Sequence, residues 1–474
     1  MKERKYSGHW WIDGEKDNTI SGELFTYEGS MPELQLNGAF RPNERSQSTI
    51  STNKIHGRAG NDLITLSNCQ RNKISNQTDT FGTSIESEWV AQYCTIGHPY
   101  YNQNIALDEL YVEFEGVGDW IRFDGLDMDM DIQNPPIWSS GDKATIEYTQ
   151  PDSVDAWIDG EKISVSLSMD SNHERGEQAT IKLKNRFKIS PNRPRVPLSD
   201  YFPTISKLQN FVSFGASGSV AKKEIGGKIQ GDDVEILIPE NAETDIESHP
   251  HRMLFTLPDI ESNFAKVLSN WDRITTEYQE IIDLYSAASY NPGMYPRNEL
   301  QNYVHSLESY HRQKWGNEYM HPWTFSYFLK DIKDILKGNP SNVYSGASHP
   351  LREMYNVPDS MVQSLSYGAL KYSNEYSLRK RLSEIVDAHR STLKGLPFSI
   401  VDKVGLATDT RNYFAHYTEE LRKKAVTSGP ELQKLVWGVK QLIEVCLLDE
   451  LGMPEDYIKS RLESKYQNKF VNPV

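Results

Sequence analysis

The sequence predicts an α+β multidomain protein: a β-rich, sandwich- or barrel-like domain over residues 1–260, then an all-α helical bundle over residues 261–474. Three observations predict it. Short stretches in the first half alternate apolar and polar residues with period two, as half-buried antiparallel strands do. From about residue 262 the apolar residues recur every three or four positions, the period of a packed helix. The charge changes at the same place: residues 1–261 carry 25 Lys and Arg against 41 Asp and Glu, and residues 262–474 carry 26 against 25. Phosphate binding needs local cations and tolerates acid elsewhere, so the net charge of −15 does not exclude a polyanionic partner for the second half.

Taken in order, the expected strands are ELFTY, ELQLNGAF, LITL, LYVEFEGVGDW, ATIEYT, KISVSLS, ATIKLKNRFKI and VEILI, separated by Gly, Asn, Asp and Pro punctuation. The Pro-rich PNRPRVPL (191–198) reads as a joint inside this region. A first helical face runs through Phe264, Val267, Leu268, Trp271, Ile274, Tyr278, Ile281, Ile282 and Tyr285. A second helix follows Pro296 and carries Leu300, Tyr303, Val304 and Leu307. A third holds Leu378, Leu382, Ile385, Val386 and His389, and a fourth runs from Leu432 to Cys446 and stops near Gly452-Met453-Pro454. Residues 317–375 interrupt the bundle as an insertion with one short helix around FSYFLKDIKDIL. Faces this apolar require one another, hence a bundle.

Composition excludes collagen-like and largely disordered chains: 37% of residues are hydrophobic and 25% charged. No run reaches the roughly 18 apolar residues of a membrane span, and MKERKYSGHWWIDG lacks the apolar core of a secretory signal. Cys69, Cys94 and Cys446 are odd in number and far apart, which makes no disulfide framework and fits a reducing cytoplasm.

The segment TDTRNYFAHY (408–417) can carry chemistry. Thr408, Asp409 and Thr410 suit an N-cap, so a helix is expected to start near Arg411. Asn412 and His416 are then four apart on one face, with the Arg411 Cα roughly 140° from that of His416. Arg, amide and imidazole together suit RNA cleavage that uses no metal or cofactor. The ribose 2′-OH attacks, an imidazole with an ordinary pKa near ~6.5 exchanges protons, and a guanidinium holds the phosphorane oxygens. One copy supplies one histidine, and a symmetric dimer supplies two. On spacing alone the structural reading, a surface Arg and a half-buried His, comes before the catalytic one.

RNYFAHY resembles the R-x4-6-H signature of HEPN ribonucleases in its R-N-x-x-x-H form. The chain further resembles the ApeA-like family of bacterial abortive-infection proteins. GHWWIDGEKDNTISGELFTYEGSMPELQLNGAF, IHGRAGNDLITLSNC and LYVEFEGVGDWI resemble pieces of that family's N-terminal domain, and NYVHSLESYHRQKWG its early HEPN helix. The resemblance implies a HEPN-like bundle with Arg411 and His416 as catalytic pair and Asn412 assisting. It implies metal-free RNA cleavage to a 2′,3′-cyclic phosphate at a homodimer interface. It also implies a defence role in which the N-terminal domain senses or regulates in response to a phage-derived trigger, with transfer RNA a substrate by analogy. Residues 317–375 exceed what such a bundle needs.

Other residues have bland and functional readings side by side. Tyr413 lies inside the motif, and Glu308, His311 and Arg312, within a turn and a half of the second helix, either support the site or form a structural polar cluster. Asp127, Asp129 and Asp131 read as the acidic face of a strand rather than a cation loop, His249 and His251 as linker, and no metal site is expected. The loop GASGSV (215–220) lacks the ending of a phosphate loop. Trp10, Trp11, Trp120 and Trp138 read as core before they read as a recognition cleft. The basic runs Arg379-Lys380-Arg381 and Arg422-Lys423-Lys424 read as solvated helix faces. Two rival functions remain: a HEPN-like module that binds nucleotide or protein without cutting, and a scaffold whose β domain recognises a phage component.

Overall fold

Alternating side chains in the N-terminal half produce strands that close on themselves. In the computed structural model these are β1 (Glu3–Ile12), β2 (Ile20–Tyr27), β3 (Glu33–Leu36), β4 (Ser51–Ala59), β5 (Asp62–Asp79) and β6 (Gly82–Ile96). The structure describes residues 3–27, 29–40, 50–79, 82–98, 105–123, 125–131, 143–158, 160–174, 178–240, 243–289, 291, 293–336, 361, 365, 368 and 370–467. The chain forms two compact units, Met1–Thr275 and Thr276–Val474.

In the first unit the antiparallel ring runs β1–β2–β3–β6–β5–β4 and back to β1, where β4 meets His9–Ile12 and closes the barrel. Its inward residues Trp10, Leu24, Leu34, Ile55, Leu66 and Trp89 are buried together. Gly57 pairs with Trp10 across β4 and β1, and the indole lies flat on it: a Cβ there would stand 2.2 Å from the ring. β6 is long enough to serve twice. One stretch of it pairs with β3 (Leu34 opposite Trp89), and the next pairs with β16 (Leu237 opposite Cys94).

That second pairing starts a wing. The remaining strands are β7 (Ala106–Leu107), β8 (Glu109–Phe114), β9 (Leu126–Asp131), β10 (Lys143–Tyr148), β11 (Val154–Ile158), β12 (Glu161–Glu174), β13 (Gln178–Ser190), β14 (Val196–Pro197), β15 (Lys222–Ile229) and β16 (Asp232–Leu237). The wing order is β16–β15–β8–β13–β12–β11. The unit also holds α1 (Gly118–Ile121), α2 (Leu198–Gly215), α3 (Leu257–Ile260) and α4 (Phe264–Glu277). An aromatic cluster joins these helices to the wing: Trp120 meets Phe187, Phe211 and Phe255 at 6.0–6.3 Å, and Trp271 of α4 stacks on Phe214 at 5.8 Å. The Trp271 Nε1–H also donates to the Lys207 carbonyl at 2.8 Å.

Several expectations are met here. Trp10, Trp11 and Trp120 are core, while Trp138 lies outside the described residues. Asp127 and Asp129 are exposed on β9, which pairs with β10. PNRPRVPL becomes β14 and the entry to α2, inside the first unit. The glycines of GASGSV serve close approach: a Cβ on Gly215 would meet Trp120 at 2.5 Å, and one on Gly218 the Asp245 carbonyl at 1.9 Å. His249 and His251 stack at 5.6 Å around the short turn Pro250–Arg252. All three cysteines are free and buried, and burial pushes the Cys69 thiol up to about 12.

The second unit comprises α5 (Gln279–Ser289), α6 (Pro296–Trp315), α7 (Pro322–Leu336), α8 (Leu378–Ala388), α9 (Arg390–Leu393), α10 (Val404–His416), α11 (Glu419–Arg422), α12 (Gly429–Glu450) and α13 (Glu455–Gln467). The single face expected from Phe264 to Tyr285 is two helices, broken at Tyr278. The first, which ends at Glu277, carries Thr275 and Thr276 in its last turn, and the Thr275 hydroxyl donates back to the Asp272 carbonyl at 3.0 Å, a bond that competes with the helix. α12 is buried nearly throughout and forms the axis. At its centre Glu444, fully buried, accepts from Tyr285 Oη (2.9 Å), Lys465 Nζ (2.8 Å) and Tyr466 Oη (2.9 Å). Burial pushes the Glu444 carboxyl up, but the Lys465 and Lys440 ammonium groups hold it below the usual 4.5. No helix among the described residues is long and apolar enough to cross a membrane.

Two outcomes are expected. Gly57→Ala drives a methyl into Trp10 and lowers stability in urea unfolding by roughly 1–3 kcal/mol, whereas Gly118→Ala, with open space beside it, stays near wild type. Glu444→Gln leaves Lys465 buried and uncompensated and costs about 3–5 kcal/mol, while Glu444→Gln with Lys465→Met recovers most of the loss. Because the folded carboxyl lies below 4.5, its contribution is complete above that pH and lost as the pH falls through the folded value.

Candidate functional site

The motif lies on α10, although not where cap residues place it. The helix begins at Val404, seven residues before Arg411, and ends at His416. Thr408, Asp409 and Thr410 do not cap it; their polar atoms bond sideways. The Thr408 hydroxyl donates to the Val404 carbonyl (2.9 Å), Thr410 Oγ1 accepts from the Val426 amide (3.1 Å), and Asp409 pairs with Arg379 of α8 (3.1 Å). Arg411, Asn412, Tyr413 and His416 therefore occupy the last turns. Tyr417 then reverses the chain at φ 54°, its amide donating to the Tyr413 carbonyl at 2.7 Å.

Arg411 and Asn412 are joined, with the guanidinium Nη1 donating to the Asn412 Oδ1 at 3.3 Å. The other guanidinium nitrogen stands 3.7 Å from Glu308 of α6, and Arg312 approaches the same carboxylate at 3.8 Å. One acid thus sits between two half-exposed guanidiniums. His416 is exposed on the helix end, and no hydrogen bond or ion pair engages it among the described residues. Tyr413 lies edge-on to Tyr417 at 5.4 Å.

His311, three residues along α6 from Glu308, points elsewhere. It is fully buried, with Nε2 2.6 Å from Glu384 of α8 and its ring 5.2 Å from Trp315. Burial lowers its pKa below 6.5, and Glu384 opposes that only in part. Of the four supporting residues, Glu308 meets Arg411, Arg312 reaches only Glu308, Tyr413 shares the Arg411 helix, and His311 instead ties α6 to α8.

The first basic run divides among three tasks. Arg379 holds α10 through Asp409, Lys380 pairs with Glu384 at 2.5 Å, and Arg381, buried, donates from Nε to the Tyr376 carbonyl at 2.9 Å. The second run is a solvated face with short-range pairs, Arg422–Glu419 at 3.3 Å and Lys424–Glu420 at 3.8 Å. Sequence reasoning missed Glu384 and the Arg379–Asp409 tie because both depend on contacts distant in sequence, for which the chain carries no local signal. No cluster of three or more metal-ligating side chains occurs among the described residues.

Comparison with known families matches residues 5–271 to the ApeA N-terminal domain 1 and residues 301–457 to the Apea-like HEPN domain. No curated protein and no solved structure matches the chain. The HEPN match spans α6, α8, α10 and α12, the helices that bring Glu308, Arg312, Arg411 and His416 to one unit.

The Glu308 carboxylate lies 3.7 Å from Arg411 and 3.8 Å from Arg312, and so competes with any added anion for both guanidiniums. Glu308→Gln is expected to tighten inorganic phosphate binding severalfold in a calorimetric titration at low salt, and unchanged or weaker binding would show that the carboxylate instead holds the guanidiniums in place for the anion.

Proposed function

The chain belongs to the ApeA family, and from this premise we propose that it is an anti-phage ribonuclease that cuts RNA by transesterification without a metal. The single observation that carries the reading is the composition of the α10 terminus. A guanidinium held by the amide beside it and an exposed imidazole one turn on stand within the residues that match the HEPN domain.

The chemistry follows from those groups. The ribose 2′-OH attacks the adjacent phosphorus, the bond to the 5′ oxygen breaks, and the products are a 2′,3′-cyclic phosphate and a 5′-hydroxyl. A proton leaves the 2′-OH and another reaches the departing 5′ oxygen. His416 serves one transfer, and the same residue of a second copy serves the other, so the competent form is a homodimer with the two motifs facing one phosphate. Arg411 neutralises the phosphorane oxygens as charge gathers on them, and Asn412 Oδ1 keeps the guanidinium from rotating away. Arg312 adds a second cation on the same side of α6. Transfer RNA is the proposed substrate by analogy, the cytoplasm the proposed compartment, and the N-terminal unit the part that answers a phage-derived trigger.

The test is cleavage of purified RNA followed by end-group analysis. His416→Ala is expected to lower the rate by about 10²–10⁴-fold and Arg411→Ala by about 10²–10³-fold, with circular dichroism unchanged and wild-type cleavage intact in excess EDTA. Wild-type activity in His416→Ala, or loss in EDTA restored by a divalent cation, would overturn the proposal.

A further inference from the structure

We propose that the outward face of α7, with the clasp beside it, is a stacking platform for unpaired RNA bases. The ligand's identity rests on the ribonuclease reading above, whereas the platform itself rests on α7 and its neighbours.

α7 is amphipathic in the ordinary sense on one side only. Phe325 is buried, and Leu329 and Ile332 on its side of the helix are half-buried. The opposite side should carry charge. Beside the charged, exposed Lys330 and Asp331 it also carries Trp323 and Tyr327, four residues apart and within roughly 40° of one another around the axis. They are 65% and 55% exposed, with ring centroids 4.9 Å apart. These rings are therefore not left over from core packing, because the core-facing stripe is complete without them. Lys330 follows one turn later on the same face and is exposed.

The clasp repeats the arrangement. Segments 317–320 and 374–376 bond to each other: the Tyr319 amide donates to the Asn374 carbonyl (2.8 Å), the Tyr376 amide to the Asn317 carbonyl (2.9 Å), and the Asn374 side chain brackets Met320 through both its atoms. This ordered frame holds Tyr319 and Tyr372 out to solvent, 55% and 58% exposed. Lys371 lies 5.4 Å from the Tyr372 centroid, whereas Lys380, 5.7 Å from that of Tyr319, lies closer to Tyr376 at 4.4 Å and is paired with Glu384. The frame continues into α8, which is tied to the motif helix through Arg379 and Asp409.

Aromatic faces alternating with lysines match a strand whose bases are flat and whose linkages are anionic. Exposed Lys330 and Lys371 supply local cations for that occupant. The acid excess of the chain lies in residues 1–261, and residues 262–474 are balanced, so this half is where a polyanion can settle. A duplex hides its base faces and gains nothing from such rings.

The test uses the full chain carrying His416→Ala, so that binding is read without cleavage. Anisotropy of a labelled 12-nucleotide unpaired RNA is compared with that of the same length as duplex. Trp323→Ala with Tyr327→Ala, and separately Tyr319→Ala with Tyr372→Ala, are expected to weaken unpaired RNA by about 10-fold or more each while duplex affinity holds. Trp323 fluorescence should be quenched by the unpaired strand and unaffected in Trp323→Phe. Unchanged affinity in both double variants overturns the platform. So does a change of oligomeric state in light scattering with RNA affinity kept, which would make the face an interface between copies. Failure of the ribonuclease reading shows separately, as absence of cleavage by the wild-type chain.

Discussion

Glu444 sits in the middle of α12 with no access to water, and the helical unit is arranged around the need to satisfy it. Its two oxygens draw Tyr285 from α5 and Lys465 and Tyr466 from α13 onto the axis helix. One turn earlier Lys440 lies 5.8 Å from the Tyr303 ring of α6, and further on Glu450 accepts from Tyr310 of α6 at 3.0 Å. α6 is thereby pinned along its length, and Glu308 on it reaches the guanidinium of Arg411. A charge in the core is costly unless its partners are complete, so the network specifies one packing more than it adds stability.

From that pinned helix the remaining geometry follows. His311 and Glu384 fix α8 against α6, Arg379 and Asp409 fix α10 against α8, and the motif ends up on a helix whose last turn faces solvent. Arg411, Asn412 and His416 are thus carried on an element held in place by its own packing. Such preorganisation is what electrostatic stabilisation of a charged transition state requires.

Much of this was legible in the sequence, because period is a local property. Alternation located β2, β3, β5, β8, β9, β10, β12, β13 and β16 but not β1, β4, β6, β11, β15 or the helix α2, and three- and four-residue spacing located α6, α8 and α12 with their buried faces. Arg411, Asn412 and His416 stood out through the resemblance of RNYFAHY to the R-x4-6-H signature and not through their spacing. What was not legible depended on partners. Thr408, Asp409 and Thr410 look like caps, and only the presence of Val404, Arg379 and Val426 turns them into mid-helix residues. Glu308 could be named as a candidate from the sequence, but its partner Arg411 lies more than a hundred positions later and the pairing had no local signal. The closed ring of β1 to β6 was legible only as barrel or sandwich, because strand alternation states which face is buried and not which edge meets which.

β6 belongs both to the ring and to the wing, and this fixes an order of assembly. Its partner β5 adjoins it in sequence, whereas β16, which meets it at Cys94, Thr95 and Ile96, is made some 140 residues later. Near neighbours pay less entropy to find each other than distant ones. The ring therefore matures first, as the nascent chain lengthens, and offers β6 as a finished template on which the later strands condense. A defect in the ring is then felt twice, once in its own closure and again as a wing that has nowhere to start.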